Sequence, residues 1–426
     1  MAEDRVPPHY RQNFVALAGD YIFFILASSF ADSSTVLPSF ARQLTASAPL
    51  IGLISTAQNG GWLLPQLIAA NYVASKERKK PYIIWPCSVG RPLYLLLAVI
   101  AYFFGTARPT LTLLTLYLCL ALFAACDGLA SVPWFDVLSK ALPGRRRGRY
   151  LATSQIVGGV LAIGGGAAVR RVLDPKTGLS FPQNYSLLFL CSFLFYMVSL
   201  VFLLFIKEPL ESAHAERASW KSYFPILVAT LRDDRPFRRI ITARLLTGFA
   251  GMASPFFILY GVEGLGLGTA VIGFCLTAQV IGRIIGGGLL GLFIERLGNR
   301  LTVLGALSAV TMVPLLALGI GFWANAAPDR ALLLYVYPLL FLLMGISMET
   351  VMWGYTNYVL DIAPPKERPT YVGLTNTITG LLVVAPIIGG TILQLTSYRV
   401  LFTVALAVYL LAWTVALRLP GTAIRR

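Results

Sequence analysis

The sequence predicts an all-α integral membrane protein whose twelve transmembrane helices form two pseudo-symmetric six-helix bundles, with both termini cytoplasmic. Three observations carry this. The 426 residues are 57% hydrophobic and only 13% charged, with a mean hydropathy of +0.72, whereas a soluble domain carries about 25% charged residues. Apolar runs of the roughly 20 residues needed to cross a bilayer recur along the chain. One phrase is also written twice: IGLISTAQNGG at 51–61 and IGFCLTAQVIG at 272–282 share six of eleven positions at an offset of 221.

The N-terminal stretch MAEDRVPPHYRQ is polar and mixed in charge without a cleavable-signal pattern, so the first apolar run is expected to remain as a helix. Cuts at charged and Pro/Gly-rich breaks place six spans near 14–40, 49–74, 82–105, 110–139, 150–172 and 184–206. Six more follow near 237–262, 269–294, 301–323, 331–361, 370–395 and 399–418. The fourth and tenth are long enough to tilt or protrude. Residues 207–236 form a charged link in which Trp220, Phe224, Leu227 and Leu231 recur at helical spacing. It reads either as a partly helical linker or as a segment lying on the membrane surface. The expected division is therefore a bundle at 1–206, a cytoplasmic linker at 207–236 and a second bundle at 237–426.

Orientation follows the basic residues. Of 35 Lys and Arg, the outer loops hold seven (Arg42, Arg108, Arg170, Arg171, Lys176, Arg330 and Arg399), Arg91, Arg244 and Arg283 lie within spans, and 25 fall on the side of the termini. Cytoplasmic loops collect such residues. The net charge of +16 is thus read as topology, and no nucleic-acid partner is expected.

The repeat extends beyond the opening phrase. ALPGRRRGRY (141–150) stands opposite IAPPKERPTY (362–371), pairing Pro143 with Pro364, Arg147 with Arg368 and Tyr150 with Tyr371. NYVASKERKK (71–80) stands opposite GLFIERLGNR (291–300). Two parallel six-helix repeats are one known transporter architecture. With Gly291, Glu295, Arg296, Gly298 and Arg300, the second of these loops resembles the loop signature of the major facilitator superfamily, Gly-x-x-x-Asp-Arg/Lys-x-Gly-Arg/Lys-Arg/Lys. It departs in having Glu for Asp and Asn299 for one basic residue. The glycines permit a tight turn, and the acid and arginines can bridge helix ends to latch one conformation. The first-half copy has Asn71, Ser75 and Arg78 where Gly, Asp and Gly would stand; Asp136, near the cytoplasmic end of the fourth span, is the candidate replacement acid.

The resemblance covers nearly the whole chain and implies alternating access between the halves. It implies that spans 1, 4, 7 and 10 line a central cavity, that 2, 5, 8 and 11 flank it, and that 3, 6, 9 and 12 lie outside. Its substrate-class motifs fit poorly. The fourth-span arginine position holds Ala124, with Asp127 and Gly128 following, and the fifth span's GGVLAIGGGAAVRR lacks the proline of drug antiporters. A near match, APIIGG, occurs at 385–390 in the eleventh span.

An ionisable side chain at the bilayer centre costs at least about 2.5–3.5 kcal/mol, so each needs a reason. Asp127 and Glu349 fall at almost equivalent positions of the fourth and tenth spans and are candidates for proton coupling; burial as paired acids is the other reading. Asp32, in the polar run SSFADSSTVLP, reads equally as a third coupling carboxylate or as part of an outer-mouth hydrogen-bonding cluster. Asp20 and Arg91 lie at comparable depth and are expected to form a structural ion pair. Arg283 stands one helical turn after Gln279 and can serve as counter-ion to Glu349 or bind an anionic substrate. Arg244 is expected to snorkel to the surface.

Glu349, Trp353 and Asn357 share a stripe at i, i+4, i+8, with Tyr355 beside it. Those aromatics and amides, together with Gln58, Trp62, Gln279 and Trp134, are candidate cavity-lining positions, as Asn376 and Gln155 are more weakly; ordinary packing explains such stripes as well. GRIIGGGLLG (282–291) and GGVLAIGGG (158–166) suit close helix packing and are not phosphate loops. Cys87, Cys119, Cys126, Cys191 and Cys275 fall in apolar runs without paired spacing, and His9 and His214 lie outside the spans. No metal, cofactor or enzymatic site is therefore expected.

The expected function is secondary active transport of a small organic solute, moderately apolar or anionic, by proton-coupled export or exchange. Uptake of a nutrient by proton symport is the alternative, and a non-transporting sensor or scaffold is the third reading. The expected setting is a monomer in a prokaryotic inner membrane.

Overall fold

The computed structural model describes residues 7–74, 76–209, 232–326, 330–364 and 368–421, all helix, turn or loop with no strand among them. Eleven helices among the described residues are long and apolar enough to cross a membrane. The chain divides into two compact units, Met1–Ala46 with Ile54–Ala218, and Ser47–Leu53 with Ser219–Arg426. Most of the linker expected at 207–236 falls at 210–231, outside the described residues.

The first unit runs α1 (Tyr10–Phe30), α2 (Val36–Leu44), α3 (Ala48–Ala74, its start up to Leu53 counted with the second unit), α4 (Pro81–Gly90), α5 (Leu93–Phe104), α6 (Pro109–Ala141), α7 (Gly144–Leu173) and α8 (Gln183–Leu204). Two expected spans are interrupted. The run 14–40 breaks between α1 and α2 because Asp32 supplies local acceptors that compete with the helix. Its Oδ1 takes hydrogen bonds from the Ser34 N–H (2.9 Å), the Ser34 hydroxyl (2.7 Å) and the Thr35 hydroxyl (2.9 Å). The third span breaks between α4 and α5 at Arg91–Pro92, where proline lacks an N–H for the ladder.

Leu17, Val36, Leu37, Phe40 and Leu116 are fully buried in this unit. Tyr196 is the hub of an aromatic cluster, 5.1 Å from Tyr94 and 4.9 Å from Phe123 between ring centroids. Large apolar side chains such as Leu64, Trp85, Phe103 and Leu118 point outward, as they do where the solvent is hydrocarbon.

The second unit runs α9 (Arg235–Ala250), α10 (Ser254–Leu259), a wide turn at Tyr260–Gly264, α11 (Val271–Ala326), α12 (Arg330–Val336), α13 (Pro338–Ile362), α14 (Arg368–Thr379), α15 (Ala385–Leu395) and α16 (Tyr398–Leu417). The 56 residues of α11 are two helical arms meeting at Gly298, whose φ of 77° and ψ of 166° break the helix. That backbone region is essentially restricted to glycine, so the signature glycine marks the turn itself. The expected seventh, tenth and eleventh spans are likewise segmented, the first two just before Pro255 and Pro338 and the third at a 3₁₀ turn preceding Pro386. Phe237, Ile240, Leu307, Tyr355 and Leu374 form the core towards the end of this unit where α9 starts and α16 finishes.

The repeated tyrosines have matching duties. The Tyr150 hydroxyl donates to the Leu17 carbonyl at 3.1 Å, tying α7 to α1. The Tyr371 hydroxyl donates to Asp234 Oδ2 at 2.8 Å, and Asp234 Oδ1 caps α9 by accepting the Phe237 N–H at 2.9 Å. Each bundle thus fastens its fifth span to its first at the same end.

Candidate functional site

Asp20 and Arg91 meet. The guanidinium Nη2 lies 3.0 Å from Asp20 Oδ1, with exposures of 4% and 7% for the two side chains. Arg91 Nη1 donates to the Tyr196 carbonyl at 3.1 Å. Asp20 also accepts from the Ser199 hydroxyl (2.6 Å) and the Trp134 indole N–H (2.9 Å). Trp134, expected as a candidate cavity wall, therefore spends its polar handle on this carboxylate. One buried acid draws together α1, the α4–α5 corner, α6 and α8, with each of its oxygens hydrogen-bonded as burial demands.

Asp127 lies within electrostatic reach of Arg91 and Asp20, and its carboxylate accepts a hydrogen bond from Trp62. Close packing of α3 on α6 creates this contact: a Cβ added at Gly128 would fall 2.4 Å from the Trp62 carbonyl oxygen, and one at Gly61 2.7 Å from that of Ala121. Gln58 is half-buried one turn before Trp62 on α3, while Asp32 is held in the turn between α1 and α2.

In the second unit, Gln279 and Arg283 sit where α11 crosses α13. Added Cβ atoms at Gly345 and Gly282 would each fall 2.1 Å from a facing carbonyl oxygen, that of Gln279 and of Leu342 respectively. Gln279 Nε2 and Arg283 Nη2 both reach the Met348 sulfur, at 3.6 and 3.5 Å, a weak acceptor directly before Glu349. The side chains of Glu349 and Trp353, and those of Gly291, Glu295 and Arg296 in the loop signature, lie outside the described residues. Tyr355 is fully buried, its hydroxyl 2.8 Å from that of Thr247. Asn357 is half-buried and Asn376 exposed.

Arg244 departs from the expected snorkel. Its guanidinium carbon lies over the Tyr355 ring, 5.9 Å from the centroid, and its buried Nη1 has no hydrogen-bond partner among the described residues. The ring face supplies a site for the cation that the surface would otherwise provide.

At the loop ends, Asp136 pairs with Lys79 at 3.0 Å and with Lys140 at 2.9 Å. It bridges the degenerate 71–80 loop to the end of α6. Glu208 accepts the N–H groups of Lys79 (2.7 Å) and Lys80 (2.9 Å), while the Lys80 ammonium donates to the carbonyls of Leu204 and Ile206 at 2.7 Å each. Burial pulls the Lys80 ammonium below its ordinary pKa, and the Glu208 carboxylate opposes that. In the second unit, Asn299 Nδ2 donates to Asp361 Oδ2, and Arg300 Nη2 donates to the Leu417 carbonyl at 2.9 Å.

Asp361 and Glu208 are missing from the residues expected from sequence. The signal for Asp361 was its place: in the repeat it stands where Lys140 stands, at the end of a fourth-in-half helix, facing a loop residue. Lys79–Asp136 and Asn299–Asp361 each join a loop residue to the end of the fourth-in-half helix, one turn apart in the repeat.

The model of the Major Facilitator Superfamily matches residues 21–383 and 262–425. The chain belongs to the major facilitator superfamily. It is a multi-pass membrane protein with the fold of that superfamily's transporters. The protein Rv2209 of Mycobacterium tuberculosis and Mb2232 of Mycobacterium bovis, both uncharacterised, are each 27% identical to it over 263 residues, covering 60% of this chain and 48% of theirs. The chain thus spans about half the length of these curated relatives.

Among solved structures, a mutant of the nucleoside transporter NupG superposes with a TM-score of 0.74 at 12% identity, covering 95% of this chain and 99% of that one. A bacterial homologue of the iron transporter ferroportin, in an inward-facing state, gives 0.68 at 14% identity, over 95% and 98%. The human organic anion transporter MFSD10 gives 0.61 at 17%, over 96% and 100%. At these identities the likeness is one of fold, and substrate is not carried with it.

Proposed function

We propose that the protein is a proton-coupled secondary active transporter that exports or exchanges a small organic anion by alternating access. The observation that supports the coupling is a second carboxylate, Asp127, within electrostatic reach of the buried Asp20–Arg91 pair and hydrogen-bonded by Trp62. One proton can enter or leave such a cluster without stranding Arg91, because Asp20 keeps the arginine neutralised. Glu349 is assigned the same duty in the second half, with Arg283 beside it. An anionic substrate class rests on Arg283 and Arg244, cations within the expected eighth and seventh spans, which the family resemblance puts beside and around the central cavity.

In this reading α3, 27 residues long, is the second span and brings the eleven to twelve, and both termini are cytoplasmic. Asp136–Lys79 and the 291–300 loop act as latches. The monomer works in a prokaryotic inner membrane, and its partners are the substrate, protons and lipid.

Proteoliposomes with an imposed pH gradient test the reading against a panel of labelled organic anions. Gradient-driven flux is expected with the native chain. Asp127→Asn or Glu349→Gln should abolish accumulation while exchange or binding persists. Flux that ignores the gradient, or accumulation unchanged in both variants, defeats proton coupling by these carboxylates.

A further inference from the structure

The segment that leaves α8 is held by more than its own helix. Four consecutive carbonyls each accept a side-chain donor from another element. Leu204 and Ile206 take the Lys80 ammonium at 2.7 Å each, Phe205 the Gln12 amide at 3.0 Å, and Lys207 the Asn13 amide at 2.8 Å. Asn13 Oδ1 in turn accepts the Lys207 N–H at 2.8 Å. A helix end leaves its last carbonyls unpaired, but α8 finishes at Leu204, and Ile206 and Lys207 lie beyond it. Every one of these bonds goes to backbone, so they do not read the side chains at 204–207.

Glu208 is read through its side chain. Its Oε1 accepts the Lys79 N–H at 2.7 Å and its Oε2 the Lys80 N–H at 2.9 Å, just before α4 starts at Pro81. The helix dipole favours a carboxylate at that end, and hydrogen bonds to a charged acceptor are about twice as strong as neutral ones. Lys79 is thereby pinned twice, its N–H on Glu208 and its ammonium on Asp136 at 3.0 Å.

The second of those bonds depends on the first. The Asp136 side chain is 32% exposed, and an ion pair so open to water gains little once both side chains have been ordered to make it. A fixed backbone at Lys79 removes part of that ordering cost. The other half of the chain offers a comparison. Arg300, at the repeat position of Lys80, also donates to a carbonyl at the end of its last span, that of Leu417. Yet the residues that follow, RLPGTAIRR at 418–426, include no acid. The carbonyl clamp is duplicated and the acid is not.

We propose that Glu208 is a positioning residue of the first-half latch, fixing the backbone at Lys79 so that Lys79 holds Asp136. The segment leaving the sixth span thereby becomes part of the latch, and it supplies an acid to a loop that carries Ser75 where the signature has Asp. The inference rests on the reading of Lys79–Asp136 as a latch.

The test uses the full chain. Glu208→Gln keeps the shape and one carbonyl acceptor while removing the charge. Lys207→Gln is the control, because that side chain is exposed and the residue is held by its backbone. Hydrogen exchange reads the amides of Lys79 and Lys80. Denaturing-detergent titration closes a double-mutant cycle between Glu208→Gln and Asp136→Asn. Turnover and substrate affinity are compared in proteoliposomes.

Three results together support the proposal. The Lys79 and Lys80 amides exchange roughly tenfold faster in Glu208→Gln, the usual worth of a charge-assisted hydrogen bond. The two substitutions are non-additive, and turnover shifts while affinity stays unchanged. Exchange equal to that of the control overturns the proposal, as does additivity in the cycle. Faster exchange with turnover unchanged makes Glu208 a structural cap and overturns it too. A native chain that carries no flux defeats the transport reading instead, and exchange and the cycle still decide whether Glu208 positions Lys79.

Discussion

Removing either member of the Asp20–Arg91 pair alone should destabilise the first bundle far more than removing both. Asp20→Leu leaves the Arg91 guanidinium buried with one hydrogen bond, Nη1 on the Tyr196 carbonyl, and without its directly paired carboxylate, Asp127 acting only from further off. An uncompensated buried charge of this kind costs about 3–5 kcal/mol. Arg91→Leu leaves the carboxylate its two neutral donors, Ser199 and Trp134, and should cost about 3 kcal/mol.

The double Leu variant removes both charges of the pair. Ser199 stays satisfied, because its hydroxyl also reaches the Asp20 backbone carbonyl at 2.9 Å. The Trp134 N–H and one carbonyl bond are what is lost, about 2–3 kcal/mol together. The singles therefore sum to at least about 6 kcal/mol, and the double falls short of that by about 3 kcal/mol or more. Unfolding free energies from denaturing-detergent titration of the four proteins close the cycle. Additivity within about 0.5 kcal/mol would refute a tie between these helices. A double variant that recovers stability but loses gradient-driven transport would refute a purely structural role for the pair.

Two further substitutions follow from backbone geometry. Gly298→Leu forces a side chain into a backbone region reserved for glycine at the turn in α11, at a cost of about 1–3 kcal/mol. It should slow the transport cycle with substrate affinity unchanged, measured as turnover against binding in the same vesicles; a pure affinity loss would contradict the latch. Gly345→Leu drives a Cβ to 2.1 Å from the Gln279 carbonyl oxygen, a backbone atom that no rotamer change can move. It should separate α11 from α13 and lower the melting temperature, whereas Gly305→Ala, with open space around its Cβ position, should leave it unchanged.

The all-helical membrane fold was legible in the chain because bilayer thickness and hydropathy act locally: each span declares itself without its neighbours. Repetition was legible too, since the duplicated Tyr150 and Tyr371 each tie their helix to the start of the first helix of their unit, one through the Leu17 carbonyl and the other through Asp234. The ion pair of Asp20 with Arg91 could be expected from depth alone, as each charge in hydrocarbon demands a partner and few are within reach.

Other features depended on which surfaces meet. Asp32 reads as a mid-span acid in one dimension and becomes a turn-former once Ser34 and Thr35 fold back on it. Arg244 reads as a surface-seeking cation until α13 places Tyr355 beneath it. Trp134, Trp62 and Asp361 acquire their partners only across helix pairs separated by tens of residues, and no periodicity along one helix records them. Local chemistry along the chain thus set where the helices run and which charges need company. The packing of helices against one another, through contacts as close as Gly128 on Trp62 and Gly345 on Gln279, decided which company each charge keeps.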